Sequence, residues 1–458
     1  MSRGALMQLV AKGEMDKYLY DENIKTSVFQ NSIRRITNFS KSSSSVYPTG
    51  NVTWNEKATF KIKPIGDLLS NMYFVVKLPS LSVSDFSENE ITSEYRVKWQ
   101  DYIGNFMIEK VTLRIGGQKI DEYTGEYLQF HTDLYNPSWS KLCMLGHDKS
   151  FIIPNTKIES QYVHIPLKFF FTDNITKSLP VLALSYQEIE VEIKLRPWSE
   201  VYLVLKQITS TLDELEKNAE TSKLNFVHTT QTITQKNLSD IRLDCNYIFL
   251  EGEERKAIVD KKHEILITQT QHIKMGCSPI DNIYLNFNHP IKEFFYVIQS
   301  SDAVNNKEYF NFSGKPQYIP SDKTQISDIL WNQLPNKHLL SEANLELNGI
   351  ERIPTRDYKF WHHLQNYEHY RNLLQHNIYM YSFGLTTDEN TGSCNFSVFD
   401  SIRLNIKLTD RTTEKIDISD QTNTISFGRG DTNTISIYAV NYNIFVIESG
   451  MGGVMYGS

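Results

Sequence analysis

The chain repeats itself. Leu113-Arg-Ile-Gly-Gly117, a short alternating strand running into a glycine turn, returns as Leu345-Glu-Leu-Asn-Gly349, 232 positions later. Tyr127-Leu-Gln-Phe-His131 returns as Tyr358-Lys-Phe-Trp-His362, offset by 231. Phe60-Lys-Ile62 pairs with Leu285-Asn-Phe287, and Tyr73-Phe-Val-Val76 with Phe294-Phe-Tyr-Val297. Ile189-Glu-Val-Glu-Ile-Lys-Leu195 pairs with Ile402-Arg-Leu-Asn-Ile-Lys-Leu408, and Asn246-Tyr247 with Asn441-Tyr442. All the pairs keep one order, with offsets between 195 and 232 in a chain of 458 residues. Loop-length changes account for that drift, so two copies of one β-domain is the most economical reading. A fused pair of similar modules points to assembly geometry as readily as to catalysis.

Each copy has enough chain for a well-buried core. Charged residues are 22% of the chain and hydrophobic ones 40%, the balance of a globular protein. The 25 Tyr and 24 Phe suit half-buried pleated surfaces and tilt the composition towards strand. A net charge of −7 argues against nucleic acid as the main partner, because phosphate binding needs a concentrated basic face. Cys143, Cys245, Cys277 and Cys394 lie far apart without Cys-x-x-Cys spacing, so free thiols in a reducing compartment are expected. The opening residues form too short an apolar stretch for a secretory signal, and no run approaches the ~20 apolar residues of a membrane helix. The Asn-x-Ser/Thr triplets at Asn38, Asn51, Asn174, Asn237, Asn311 and Asn395 then have no route to secretory modification.

Residues 1–45 read as a leading arm, ending in the flexible run Ser42 to Ser45. The first β-domain is expected over 46–250, with residues 80–100 as a long polar loop and 122–160 as an irregular excursion. Ile108, Val111, Leu113 and Ile115 alternate into Gly116-Gly117, a hairpin signature. Thr211 to Lys217 carries acids early and lysine late, which suits a short solvated helix. Residues 251–264 read as a charged helical connector, 265–447 as the second β-domain and 448–458 as a flexible glycine-rich tail. Each copy then holds about eight strands. Eight antiparallel strands in two facing sheets make a jelly roll, although periodicity alone does not separate it from other sandwiches. The fold class expected is all-β, two tandem eight-stranded antiparallel jelly rolls.

Few constellations suggest chemistry. His362, His369 and His376 fall seven apart, but two helical turns separate ligands more than the i, i+4 spacing of zinc helices. Asp121-Glu122 could supply an acid and a base, as could Glu188, Glu190 and Glu192. The latter three alternate with Ile189, Val191 and Ile193, which describes the solvated face of a half-buried strand. The glycines after Gly450 lack the Lys-Ser/Thr of a phosphate loop, and no Gly-x-Ser-x-Gly elbow occurs. No catalytic residue, metal ligand or cofactor is assigned.

Several segments resemble the major capsid proteins of nucleocytoplasmic large DNA viruses, the double jelly-roll family. Gly4-Ala-Leu-Met-Gln-Leu-Val-Ala-Lys-Gly13 with Asp16-Lys-Tyr-Leu19 is similar to the family's opening, and Arg34-Arg-Ile-Thr-Asn-Phe39 to its Arg-Arg-x-Thr-Asn-Phe signature. Leu285-Asn-Phe-Asn-His-Pro290 resembles the start of the second barrel, and Gly392-Ser-Cys-Asn-Phe-Ser397 a late-strand motif. Asn441-Tyr-Asn443 and Ser449-Gly-Met-Gly-Gly453 resemble the family's ending. Lys12 and Glu14 depart from the opening motif, as does the acidic insert at 204–220. The resemblance implies a structural, non-enzymatic subunit that trimerises into pseudo-hexameric capsomers tiling an icosahedral shell. It also implies minor capsid and penton proteins as partners, and assembly in the host cytoplasm. The alternative is a two-barrel glycan hydrolase or amidase, or a lectin-like binding module.

The arm has seven basic groups against four acids, a net of +3, which leaves −10 for the remainder of the chain. Its apolar Leu6, Leu9 and Val10 lie beside Arg3 and Lys12, with Arg34 and Arg35 further on. Such a segment is too small to fold alone and orders on binding. These seven residues are expected to face the inner side of the shell, against minor capsid proteins or an internal membrane surface.

Overall fold

The computed structural model describes residues 7, 38–86, 94–135, 137–148, 151, 153–207, 226–229, 231–315, 317, 338–387, 390–410, 412–418, 421–427 and 432–457, with backbone alone at 227–228, 412–418 and 421–427. Contacts divide the chain into Met1–Phe39 and Ser40–Ser458; the larger unit carries the architecture described below. The arm residues Arg3, Leu6, Leu9, Val10, Lys12, Arg34 and Arg35 lie outside the described residues, as does the helix expected over 211–217.

Alternating apolar residues build the strands. The first copy contributes β1 (Phe39–Val46), β2 (Lys57–Ile62), β3 (Leu68–Leu78), β4 (Ile108–Ile115), β5 (Gln118–Thr124), β6 (Gln161–Pro166), β7 (Ile189–Leu195) and β8 (Ser239–Leu250). They form two four-stranded sheets, ordered β1-β8-β3-β6 and β2-β7-β4-β5. The second copy contributes β9 (His263–Cys277), β10 (Ile280–Tyr284), β11 (Pro290–Ser300), β12 (Leu340–Leu347), β13 (Ile350–Asp357), β14 (Tyr379–Ser382), β15 (Ile402–Leu408) and β16 (Asn433–Glu448). Their sheets run β9-β16-β11-β14 and β10-β15-β12-β13, the same order strand for strand. This is jelly-roll connectivity written twice.

The turns repeat as well. Gly116 and Gly117 sit at φ +58° and +81° between β4 and β5, and Asn348 and Gly349 at +49° and +78° between β12 and β13. Two consecutive left-handed residues are what a type I′ hairpin requires, and its twist matches that of the flanking strands. Each hairpin then runs into a helical segment. In the first copy this is α1 (Gly125–Tyr135), whose start is capped by the Thr124 hydroxyl accepting the Tyr127 amide at 3.2 Å. In the second copy it is a wide-turned stretch over Phe360–Leu364 and Asn366–Tyr370.

Several segments differ from expectation. Ser42 to Ser45 belong to β1 rather than to a flexible link, held by pairing with β8 and by the Ser45 hydroxyl donating to Asp244 at 2.6 Å. Residues 80–100 contain the strand Tyr95–Trp99, paired with Tyr202–Gln207 in an extra three-stranded sheet. The tail carries a strand too: Met451–Val454 folds back on the end of β16, and Gly452 donates its amide to Gln187 at 2.7 Å. Between the sandwiches lies α2 (Gly252–Asp260), with Glu253 and Glu254 in its first turn, which favours a helix N-terminus. Arg255 ties it to Asp67 of the first sandwich at 3.1 Å.

Candidate functional site

The seam between the two sandwiches is where most of the unusual chemistry collects. It exists because β11 is buried on both faces. Phe294, Tyr296 and Ile298 point into the second sandwich's own core, while Phe295 and Val297 join the core of the first. Strand β16 divides likewise, with Ile435, Ile437 and Ala439 on one side and Tyr438 and Val440 on the other. A strand covered on both faces reads as a continuous apolar run, which Phe294-Phe-Tyr-Val297 is. Against it packs α1. Tyr127 stacks on Phe295 with ring centroids 5.9 Å apart, and Phe130 meets Tyr438 edge-on at 5.8 Å.

Polar groups in the seam are paired across it. Asp121 of β5 accepts the backbone N–H of Thr270 in β9 at 3.0 Å and that of its neighbour Glu122 at 2.9 Å. Burial nevertheless pushes its carboxyl up to about 7. Tyr438 donates to Glu126 at 3.2 Å, and Arg196 holds the same carboxylate at 2.9 Å. Glu126 is buried, yet its pKa is lowered by the combined charges of Lys274, Arg196 and His272 and by the Tyr438 hydroxyl, which together outweigh desolvation. Glu293 on β11 accepts from the Tyr370 hydroxyl at 2.6 Å and also from Tyr135 of α1. His376 pairs with Asp133 of α1.

A cavity of about 830 Å³ opens beside these groups, lined by both sandwiches. Lys141, Lys168, Lys177 and Lys292 reach it, with His131. Burial pushes Lys168 down to about 7 and Lys141 to about 8, and takes His131 well below its ordinary value. Lys168 is held by Asp173. The cavity's lining is mixed in charge, with the carboxylates of Asp173 and Glu293 among the lysines.

The residues singled out in the sequence do not converge. Asp121 is buried in the seam, whereas Glu122 faces outward to Lys110 at 3.0 Å and Lys119 at 3.5 Å, so the two carboxylates share no cleft. Glu188 and Glu190 bind Lys61 at 2.6 and 3.5 Å, and Glu192 binds Lys57 and Arg114 at 3.0 and 3.4 Å: a solvated ladder. The histidines spaced by seven scatter: His362 bonds the Ile378 carbonyl, His369 lies 3.9 Å from Glu368, and His376 sits in the seam. All four cysteines are free thiols, and burial pushes Cys245 and Cys277 up to about 12, where they stay protonated and unreactive. Missed from sequence were Glu126, Glu293 and Tyr438. Glu293 and Tyr438 were signalled only by a charge or hydroxyl beside an apolar run, and Glu126 by nothing local.

The comparisons with known proteins agree with one another. The family described as "Major capsid protein N-terminus" matches residues 27–251, and that described as "Large eukaryotic DNA virus major capsid protein" matches residues 254–453. The major capsid protein of Pyramimonas orientalis virus is 27% identical across 99% of this chain and 100% of its own length. That of Paramecium bursaria Chlorella virus 1 is 26% identical, again across 99% and 100%. Among solved structures, a chain of the PBCV-1 virus capsid superposes with a TM-score of 0.74 at 22% identity, covering 94% of this chain and 100% of that one. The Faustovirus major capsid protein does so with a TM-score of 0.67 at 11% identity, covering 92% and 93%. At these identities the superpositions speak for the fold.

Proposed function

The chain belongs to the major capsid protein family of large eukaryotic DNA viruses, and from that premise we propose that three copies associate into a pseudo-hexagonal capsomer that tiles the icosahedral shell. The place of such a protein is the virion capsid, and its role there is structural. The observation that carries the trimer is the identity of strand order in the two sandwiches. Two similar barrels in each of three chains present six similar corners, and six corners tile a closed surface with few kinds of contact. A tile must also be stiff. The shared core of α1, β11 and β16, with its cross-seam hydrogen bonds, supplies that stiffness.

The same reading puts the N-terminal arm on the inner side of the shell. Arg3, Lys12, Arg34 and Arg35 would meet minor capsid proteins or the anionic headgroups of an internal membrane, with Leu6, Leu9 and Val10 giving the apolar contact. The attraction to such a membrane is about 1 kcal/mol per basic residue and weakens with salt. Neighbouring capsomers and penton proteins complete the set of partners, and assembly takes place in the host cytoplasm.

Native mass measurement over a range of concentrations tests the trimer, together with negative-stain images. The expected result is a three-chain species seen as three-fold plates roughly 70–80 Å across. Monomer at every concentration would overturn it.

A further inference from the structure

The fold gathers a trio of histidines that the sequence keeps apart. His338 immediately precedes β12, and its backbone is pinned there: Thr409 donates its hydroxyl to the His338 carbonyl at 2.6 Å, and Ser313 and His338 form a bridge. His362 and His363 stand on the wide-turned segment Phe360–Leu364 after β13. Consecutive residues on an ordinary α-helix point apart, whereas here the rings of His362 and His363 lie 4.6 Å apart, centroid to centroid. His338 is 4.9 Å from His362 and 5.8 Å from His363 by the same measure. One ring nitrogen from each of the three falls within 4.8 Å of the other two.

We propose that His338, His362 and His363 form a binding site for a zinc-class divalent cation, with a fourth position left to water. Two arguments carry this from the geometry. First, His362 is buried and its Nδ1 bonds the Ile378 carbonyl at 2.7 Å. An Nδ1–H···O=C bond fixes the tautomer and leaves Nε2 as a lone-pair donor, the arrangement that metal-ligating histidines use. Second, all three groups are imidazoles, and among the described residues no carboxylate is hydrogen-bonded to any of them. Nitrogen ligands without oxygen select zinc, copper or nickel over magnesium and calcium.

Tetrahedral ligation at the ~2.0–2.1 Å of a zinc–imidazole bond sets donor atoms roughly 3.3 Å apart, so the trio has to close by up to about 1.5 Å. His363 is exposed and, among the described residues, holds no hydrogen bond, so its ring is the one that turns in. His338 is steadied by stacking on Tyr358, centroids 4.3 Å apart, and its Nδ1 lies 3.4 Å from the Tyr379 hydroxyl. A bound cation would tie the approach to β12 to the helical segment after β13, adding to the hydrogen bond that the Trp361 indole already donates to the Ala343 carbonyl of β12 at 3.3 Å.

The test is titration of EDTA-treated full-length protein with Zn²⁺, repeated with Co²⁺ as a visible-absorption probe of nitrogen ligation. One equivalent per chain is expected, with a rise in Tm on binding and no response to Mg²⁺. His363→Ala, an exposed substitution that leaves the metal-free Tm unchanged, is expected to weaken binding about tenfold or more. His338→Gln is expected to do the same, while His164→Ala on β6 leaves affinity intact. Absence of saturable binding, or full affinity in both His363→Ala and His338→Gln, would overturn the assignment.

Discussion

The backbone amide of Thr270 in the second sandwich donates to the carboxylate of Asp121 in the first at 3.0 Å, and that buried carboxyl titrates near 7. An unfolded aspartate titrates near 3.8. Between those values the folded chain keeps a proton that the unfolded chain has released, so this contribution is complete below about 4 and is lost as pH rises through about 7. Asp121→Asn keeps the oxygen that accepts both amides and cannot ionise. It is expected to be more stable than the parent at pH 8, by roughly 4 kcal/mol at most, and indistinguishable from it near pH 4. Lys168, pushed down to about 7, runs the other way: its contribution is present at high pH and lost as pH falls through about 7. Lys168 is common to both proteins, so the difference in Tm between variant and parent against pH isolates Asp121 to first order. An equal difference at pH 4 and pH 8 would exclude the assignment.

The seam is predicted to hold the two sandwiches together mainly through aromatic packing. Phe295 is buried against Tyr127, Phe130 and Tyr438. Phe295→Ala is expected to cost about 3–5 kcal/mol in a denaturant titration. Tyr284→Ala, a half-exposed ring at the edge strand β10, should cost under about 1 kcal/mol. Similar losses at the two sites would mean that the seam is not a packed core.

Much of this fold was legible, for a physical reason: period-two burial and left-handed turns are local. Ile189, Val191, Ile193 and Leu195 alternate with charged residues in the sequence, and in the fold they alternate between core and solvent. Gly116-Gly117 and Asn348-Gly349 announced their hairpins in the same way. What escaped depends on partners far along the chain. Tyr95 to Trp99 lies in acidic surroundings, and the strand that makes it one, Tyr202–Gln207, is about a hundred residues away. Helix α1 carries an apolar stripe of Tyr127, Phe130 and Leu134, but its polar Gln129, Thr132 and Asp133 are buried as well, because both sandwiches cover it. The histidine spacing of seven was conspicuous and irrelevant. His338, the member that completes the trio, stands 24 positions before His362 on another element.

Gly125 opens α1 where a side chain has no room. A Cβ there would overlap the carbonyl oxygens of Asn105 and Ile108, both backbone atoms that cannot swing aside. Gly125→Ala is therefore expected to destabilise by several kcal/mol, on the order of other overpacked core sites, and to cut soluble yield. Gly117→Ala, in open space but at φ +81°, should cost only about 1 kcal/mol. The pair is read out by Tm and by soluble yield. A Gly125→Ala protein with parental Tm would show that the close approach of α1 to β4 is misplaced.

The arm offers the last prediction, argued from charge. It is electropositive by three while the remainder of the chain is negative by ten, so it is drawn to the negative bodies of neighbouring subunits as well as to an anionic surface. Its apolar residues are too few to fold without a partner. A shell subunit whose trimer rests on the sandwiches should therefore tolerate loss of the arm, whereas contacts on the inner side should not. Deleting residues 2–25 is expected to leave folded trimers by native mass measurement while impairing closed-shell formation in particle assembly. Raising salt should weaken the attachment of both proteins to anionic vesicles, because residues 2–25 hold four basic and four acidic groups and the arm's net charge of +3 rests on Arg34, Arg35 and Lys41. Normal closed particles from the deletion, or its failure to trimerise at all, would show that the arm belongs to a different contact.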